Sequence, residues 1–445
     1  MNHAQYSLRA NWPFRVKRIP FFYGWVIWFI STLGIIASIP GQTVGMAVFT
    51  DHFIEVFGLT RTQLSTAYLF GTLGSSLFLT RAGRFYDNTG ARITIVSSSI
   101  VLGLCLAFIA AIDFFAGILL DLFDAPIAWF TFPLILAGYF GVRFSGQGVL
   151  TSASRNILLV WFEKRRGLVS GARSVFVTLG FSLAPPFLAF LIHLFGWRTA
   201  LLVLAIMVGI GFSLLALVFT RNSPESCDLL PDGQSVGHSD EPKFTAPDLS
   251  PAEAKRSPVF WIYAAVLGLY SLFGTALVFH IVSIFNEAGR TAEQAFTYFF
   301  PAAIFSVSVN LLGSWLADYW PLKRLLLIKL AGFMIGAWGI LHLQYDWGYW
   351  LLVCGFGTTS GMWGVLSNLA FIRFFGRRFL GEISGMNMTL TVIGSAIGPV
   401  MFSLGLDLFG SYHAAIWANL MLVIVLFIAA IIIKQEEPAH LQKTD

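Results

Sequence analysis

Long apolar runs alternate with short polar knots along most of the chain. Each run is long enough for about 20 helical residues, the length that crosses a hydrocarbon layer. The pattern predicts twelve spanning helices, near 22-49, 62-81, 91-112, 127-159, 167-195, 198-220, 258-284, 293-316, 323-342, 348-372, 381-406 and 412-433. They fall into two groups of six. Between the groups, 221-257 is the one long polar stretch, carrying Pro224, Pro231, Pro242, Pro247 and Pro251 and no helical apolar face. It reads as a linker or a lateral amphipathic segment. The expected organisation is an N-terminal six-helix bundle over 1-220, a cytoplasmic loop over 221-257 and a C-terminal six-helix bundle over 258-445, an all-α polytopic membrane fold.

Composition agrees with this pattern. Of 445 residues 56% are hydrophobic and only 11% charged, against roughly 25% charged in a soluble domain. Disordered, disulfide-scaffold and ordinary cytosolic enzyme classes are excluded. Cys105 and Cys354 lie in apolar runs and Cys227 in a polar loop, so no disulfide framework is expected. Arg9, Arg15, Lys17 and Arg18 precede the first run with no small-residue cleavage site, which predicts a retained first span rather than a signal peptide.

The net charge of +5 becomes informative once the charges are sorted. With the N-terminus in the cytoplasm, 22 of the 28 Lys and Arg residues fall on the cytoplasmic side, Lys329 being grouped there with the loop before the ninth span. Arg61, Arg198 and Arg290 fall on the other side. The positive-inside rule selects this orientation and removes any need for a nucleic-acid partner. Arg143, Arg155 and Arg173 remain, all inside predicted helices.

The two groups resemble each other at fixed offsets. Gly171, Gly180, Pro185 and Gly196 recur 214 residues later as Gly385, Gly394, Pro399 and Gly410. Asp87 and Arg92 recur 231 residues later as Asp318 and Lys323. Six-helix repeats are the mark of secondary transporters whose substrate site lies at the repeat interface.

The loop Gly83-Arg84-Phe85-Tyr86-Asp87-Asn88-Thr89-Gly90-Ala91-Arg92 carries the pattern G-x-x-x-D-x-x-G-x-R between the second and third spans. With Gly196-Trp197-Arg198 before the sixth span, it resembles the major facilitator superfamily of transporters, and that resemblance covers nearly the whole chain. Tyr23-Gly24-Trp25, Pro224-Glu225 and Leu230-Pro231-Asp232-Gly233 are similar to the bacterial monocarboxylate and oxalate/formate exchanger branch. Carboxylate carriers of that branch often hold an Arg in the eighth helix or a Lys in the first or eleventh. Here the eighth reads Ser306-Val307-Ser308-Val309-Asn310, the first has Gln42, and the eleventh has Asn387 and Thr391. The branch implies an anion carrier without naming the anion.

Arg143 is the most informative single residue. It lies halfway along the fourth span, where a charge is costly and usually functional. Gln147, Thr151 and Ser154 follow at helical spacing. No acidic residue maps to the middle of a span, so an anionic substrate would supply the missing charge through a bidentate contact. The competing reading is a structural Arg bound to backbone carbonyls and water. Further substrate-facing candidates are Gln42 with Ser38, Tyr270 with Gly274, Asn310 with Ser306, Trp363 and Ser367 with Ser360, and Asn387. Each stripe equally suits close helix packing. Arg155 and Arg173 read as snorkelling to the interface, or as a vestibule attracting anions.

Asp87 and Asp318 have a mechanical reading: a loop carboxylate caps the free N–H groups of a neighbouring helix. In the family's fold Asp87 faces Gly381-Ser384 and Asp318 faces Gly167-Ser170, so with Gly83, Gly90, Arg92 and Lys323 they form a candidate gate. His280 is the first candidate for proton coupling and His193 the second. Without a P-loop, a metal-ligand cluster or a nucleophile set, the chain reads as a transporter and not an enzyme, with no cofactor. Its expected partners are a small organic anion, protons and the lipid bilayer. The expected setting is a bacterial inner membrane, with a monomer whose two termini are cytoplasmic. Efflux of amphipathic drugs or metabolites is the alternative.

Overall fold

A computed structural model describes residues 12–122, 126–233 and 248–435, and among them every regular element is helical. The first spanning element, α1, runs Gly24–Ala37, breaks at the tight turn Ile39–Gly41 and resumes over Thr43–Ala47. A short helix, Thr50–Phe57, leads to α2, Arg61–Ser76, which continues past a break as Leu79–Thr89. Then α3 is Ala91–Ala110, and α4 is built from Ile127–Val142, a π-helical stretch Arg143–Leu150, and Thr151–Trp161. The run from Arg166 to Phe219 is interrupted at Gly196, whose φ of 75° only glycine adopts without strain. That interruption separates α5 (166–195) from α6 (197–219).

The second half begins after Pro251–Arg256, a short helix whose capping box joins Ser250 and Glu253. That hydrogen bond holds the exposed Glu253 carboxyl below its ordinary range. Its spanning helices are α7 (Pro258–Glu287), α8 (Phe299–Leu316), α9 (Leu322–Leu341), α10 (Asp346–Phe375), α11 (Leu380–Phe409) and α12 (His413–Ile432). The helices carry large exposed apolar side chains such as Trp129, Phe279, Phe300 and Leu408, as expected where the surrounding solvent is lipid.

Two compact units emerge. Unit 1 contains Met1–Glu163, Phe176–His238 and Ser384–Met388; unit 2 contains Lys164–Val175, Ser239–Ile383 and Thr389–Asp445. The first turns of α5 therefore belong with the later helices, and a short piece of α11 with the earlier ones.

The polar stretch after α6 differs from a free linker. Arg221 and Cys227 are fully buried, the Trp161 indole donates to the Arg221 carbonyl at 3.0 Å, and the Glu163 N–H donates to Asp232 at 3.0 Å. Burial pushes the Cys227 thiol up, with Arg221 and Arg92 pulling the other way. Residues 234–247 of this stretch lie outside the described residues.

Candidate functional site

In unit 1 the site is made by two irregular helices. Pro40 has no N–H to continue α1, and the chain turns over Ile39–Gly41 before Gln42 takes an extended conformation. Opposite this turn, α4 widens into its π-helical stretch, a distortion frequent at functional sites. A Cβ on Gly41 would stand 2.4 Å from the Val142 carbonyl and 2.8 Å from the Gly146 Cα, so the two backbones meet where side chains do not fit.

Arg143 opens the π-helical stretch and is 3% exposed. Its Nη1 donates to the Gly41 carbonyl at 3.5 Å and to the Thr43 hydroxyl at 3.3 Å, both long contacts. The Tyr68 ring lies 5.0 Å from the guanidinium carbon, and the Tyr68 hydroxyl donates to Thr43 at 2.7 Å. Arg143 Nε is buried with no hydrogen-bond partner, and no carboxylate pairs with the guanidinium among the described residues. Gln42 is brought beside this group but is already engaged, donating to Ser38 and Thr151 at 3.1 Å each. Gln147 is half-buried one turn beyond Arg143. Asn387 is buried in the α11 segment of the same unit, where Asn156 donates to Ser384 at 2.9 Å.

In unit 2, Tyr270 and Trp363 are neighbours, with ring centroids 6.3 Å apart. Asn310 donates to the Gly361 carbonyl at 2.9 Å while its Oδ1 is buried without a partner. Ser367 is directed back to its own helix, donating to the Gly364 carbonyl at 3.3 Å. His280 stands with different neighbours. Its Nε2 lies 3.0 Å from the Pro399 carbonyl, which only accepts, so Nε2 carries the hydrogen; Nδ1 lies 3.2 Å from the Tyr412 hydroxyl.

The structure corrects two readings of the basic residues. Lys329 is not a loop residue: it lies within α9, wholly buried, and donates to the Thr359 carbonyl at 2.8 Å with its ammonium 4.1 Å from the Tyr270 ring centroid. The signal was present, since a lone Lys inside Leu325-Leu326-Leu327-Ile328-Lys329-Leu330 is a cation in an apolar helix. Arg173 does not snorkel. It is 2% exposed and donates to the Asn368 side chain at 3.0 Å inside unit 2. Arg155 is half-buried.

Among the gate candidates, Asp318 accepts from the Gly167 N–H at 2.8 Å and the Leu168 N–H at 3.0 Å, at the first turn of α5. Gly83 and Asp87 lie in the helical segment Leu79–Thr89, and Gly90 follows it with φ of 86°. Arg92 and Lys323 point elsewhere, to the ends of α6 and α12. Arg92 Nε donates to the Leu217 carbonyl at 2.7 Å, and Lys323 donates to the Ile431 carbonyl at 2.7 Å.

Residues 30–399 match the family model described as Major Facilitator Superfamily. No curated protein matches the chain. Solved structures with a similar fold include the E. coli fucose:proton symporter FucP, 17% identical with a TM-score of 0.63, over 94% of this chain and 100% of that one. The proton:xylose symporter XylE is 14% identical with a TM-score of 0.65, over 91% of this chain and 94% of the other. A human organic anion transporter, TETRAN, is 14% identical with a TM-score of 0.59, over 92% and 99% of the two chains.

Proposed function

The chain belongs to the Major Facilitator Superfamily, a transporter and not an enzyme, and from that premise we propose that it carries a small organic anion, a monocarboxylate in the first instance. The observation that supports this reading is Arg143. A guanidinium 3% exposed, with a buried Nε lacking an acceptor and no carboxylate beside it among the described residues, is an incomplete site. A carboxylate is the planar anion that completes it, through two parallel N–H···O bonds.

Transport then proceeds by alternating access of the N-terminal bundle, 1-220, and the C-terminal bundle, 258-445, in a bacterial inner membrane with both termini cytoplasmic. Gln147 and Gln42 orient the anion beside Arg143, and Tyr270, Asn310, Trp363, Ser367 and Asn387 are the further candidate contacts. Electroneutrality is met by proton symport, with His280 as the titratable group, or by exchange for a second anion. Asp87 and Asp318, the acidic members of the repeated motif, act on the gate. The carrier works as a monomer.

The test is uptake of labelled small carboxylates into proteoliposomes under an imposed pH gradient, with wild type and Arg143→Gln. Wild-type uptake that is lost in the variant supports the reading. Unchanged uptake in Arg143→Gln removes the anchor, and uptake of amphipathic cations in place of carboxylates removes the substrate class.

A further inference from the structure

We propose that Lys329 is a second carboxylate-recognising cation, kept against the Tyr270 ring until a substrate carboxylate takes that ring's place. The inference rests on the anion reading above and adds a residue on a different helix and in a different unit.

Four observations carry it. Lys329 is wholly buried, and its ammonium, with three hydrogens to place, reaches one oxygen, the Thr359 carbonyl at 2.8 Å. Its second neighbour is a ring face, Tyr270 at 4.1 Å, which attracts a cation through its quadrupole without carrying a charge. No carboxylate pairs with it among the described residues. Finally, α9 does not need the lysine to hold α10. The Thr359 hydroxyl donates to the Gly355 carbonyl of its own helix at 2.8 Å and stands 3.3 Å from the Lys329 carbonyl, and a Cβ on Gly355 would stand only 2.2 Å from the Gly336 N–H nitrogen, so the two backbones are already in close contact. A methionine would fill the same volume without a charge to solvate. A buried cation that packing does not require is the kind of group a membrane carrier keeps for its substrate.

Tyr270 fits the part of a placeholder. A ring face compensates an ammonium less than a carboxylate does, so an arriving anion displaces it. Trp363, 6.3 Å from Tyr270, is placed to report the exchange. Arg143 lies over Tyr68 in unit 1 in the same way, at 5.0 Å.

The experiment uses full-length protein in proteoliposomes and labelled small carboxylates, with Lys329→Gln, Lys329→Arg, Lys329→Met, Tyr270→Phe and Tyr270→Leu. Lys329→Gln and Lys329→Met should raise KM about tenfold or more, the loss expected for a hydrogen bond to a charged group. Lys329→Arg should restore part of it. Tyr270→Leu removes the competing ring and should lower KM, and Tyr270→Phe, which keeps the ring, should not reproduce that fall. Carboxylates should quench or shift tryptophan fluorescence in wild type and not in Trp363→Phe. Wild-type KM in Lys329→Met overturns the proposal while leaving the Arg143 reading in place, and a lowered melting temperature in that variant makes the lysine structural. A raised KM in Tyr270→Leu overturns the placeholder. Absence of carboxylate uptake by wild type overturns the anion reading and this inference with it.

Discussion

Lys323 closes the C-terminal end of α12, donating to the Ile431 carbonyl at 2.7 Å and to the Ile433 carbonyl at 3.1 Å. Arg92 does the same for α6, with Nε 2.7 Å from the Leu217 carbonyl. The donors are 231 residues apart and the acceptors 214, the two offsets of the internal repeat. Both contacts stay inside one unit, Arg92 in unit 1 and Lys323 in unit 2. A cation on the free carbonyls of a helix end meets the negative end of its dipole. The basic member of the repeated loop therefore ties the third helix of each half to its sixth.

Arg92→Ala and Lys323→Ala should each cost about 1 kcal/mol, up to ~2 for the buried Arg92. Melting temperatures in detergent should fall by a few degrees while KM for the substrate stays unchanged. Lys323→Arg should be nearly neutral, whereas Arg92→Lys keeps the charge but loses the guanidinium contacts to the Leu217 and Trp12 carbonyls and should recover only part of the loss. A KM change without a stability change would place these residues in the transport path instead.

The acidic member of the same loop behaves differently. Asp318 accepts two backbone N–H groups from the first turn of α5, at Gly167 and Leu168. A Cβ on Gly167 would stand 1.9 Å from the Ser314 carbonyl, so the approach is one that only glycine permits. Asp318→Asn should weaken the contact by about 1 kcal/mol, and Gly167→Ala should break it. For a gate contact, both should change the rate of substrate exchange several-fold with little change in affinity. Stopped-flow counterflow separates the two, and altered specificity at normal rate would count against a gating role.

His280 joins α7 to the α11 carbonyl of Pro399 and to the Tyr412 hydroxyl. Protonation would turn Nδ1 from acceptor to donor and reverse the Tyr412 hydrogen bond, so charge on this ring is linked to packing between helices. If His280 carries the coupling proton, His280→Gln should lose accumulation driven by a pH gradient and keep counterflow exchange. Accumulation that survives assigns the proton to the substrate or the coupling to exchange.

Much of the helical layout was legible because lipid imposes long apolar runs, and the ends of α3, α9 and α12 fall within a few residues of the hydropathy pattern. The breaks inside α1 and α4 were less so. Pro40 marks the first, but the π-helical turn at Arg143 arises where two glycine-lined backbones approach, which no single-helix pattern encodes. Arg143 was legible as a charge in a long apolar run. Lys329 carried the same signal, but proximity to a basic loop hid it among the orienting charges. Arg173 was misplaced for the related reason that depth along a helix does not say which face is buried.

The close approach of α1 and α4 gives the last prediction. Gly41 and Gly146 face each other, and a Cβ on either meets the other's Cα at 2.8 to 2.9 Å. Gly41→Ala adds a collision 2.4 Å from the Val142 carbonyl, backbone that cannot swing aside. The helices must separate by several tenths of an ångström, a strain of about 1–3 kcal/mol in a packed interior. That shift carries Gly41 and Thr43, the two acceptors of Arg143, away from it. Gly41→Ala should therefore lower the melting temperature and raise KM together, although it touches no charged group. Gly180→Ala is a matched control, because the Cβ there meets the movable Ile36 side chain. It should lower stability with a smaller effect on KM. Equal KM effects from the two substitutions would mean that general loosening of unit 1, and not the Arg143 cradle, sets affinity.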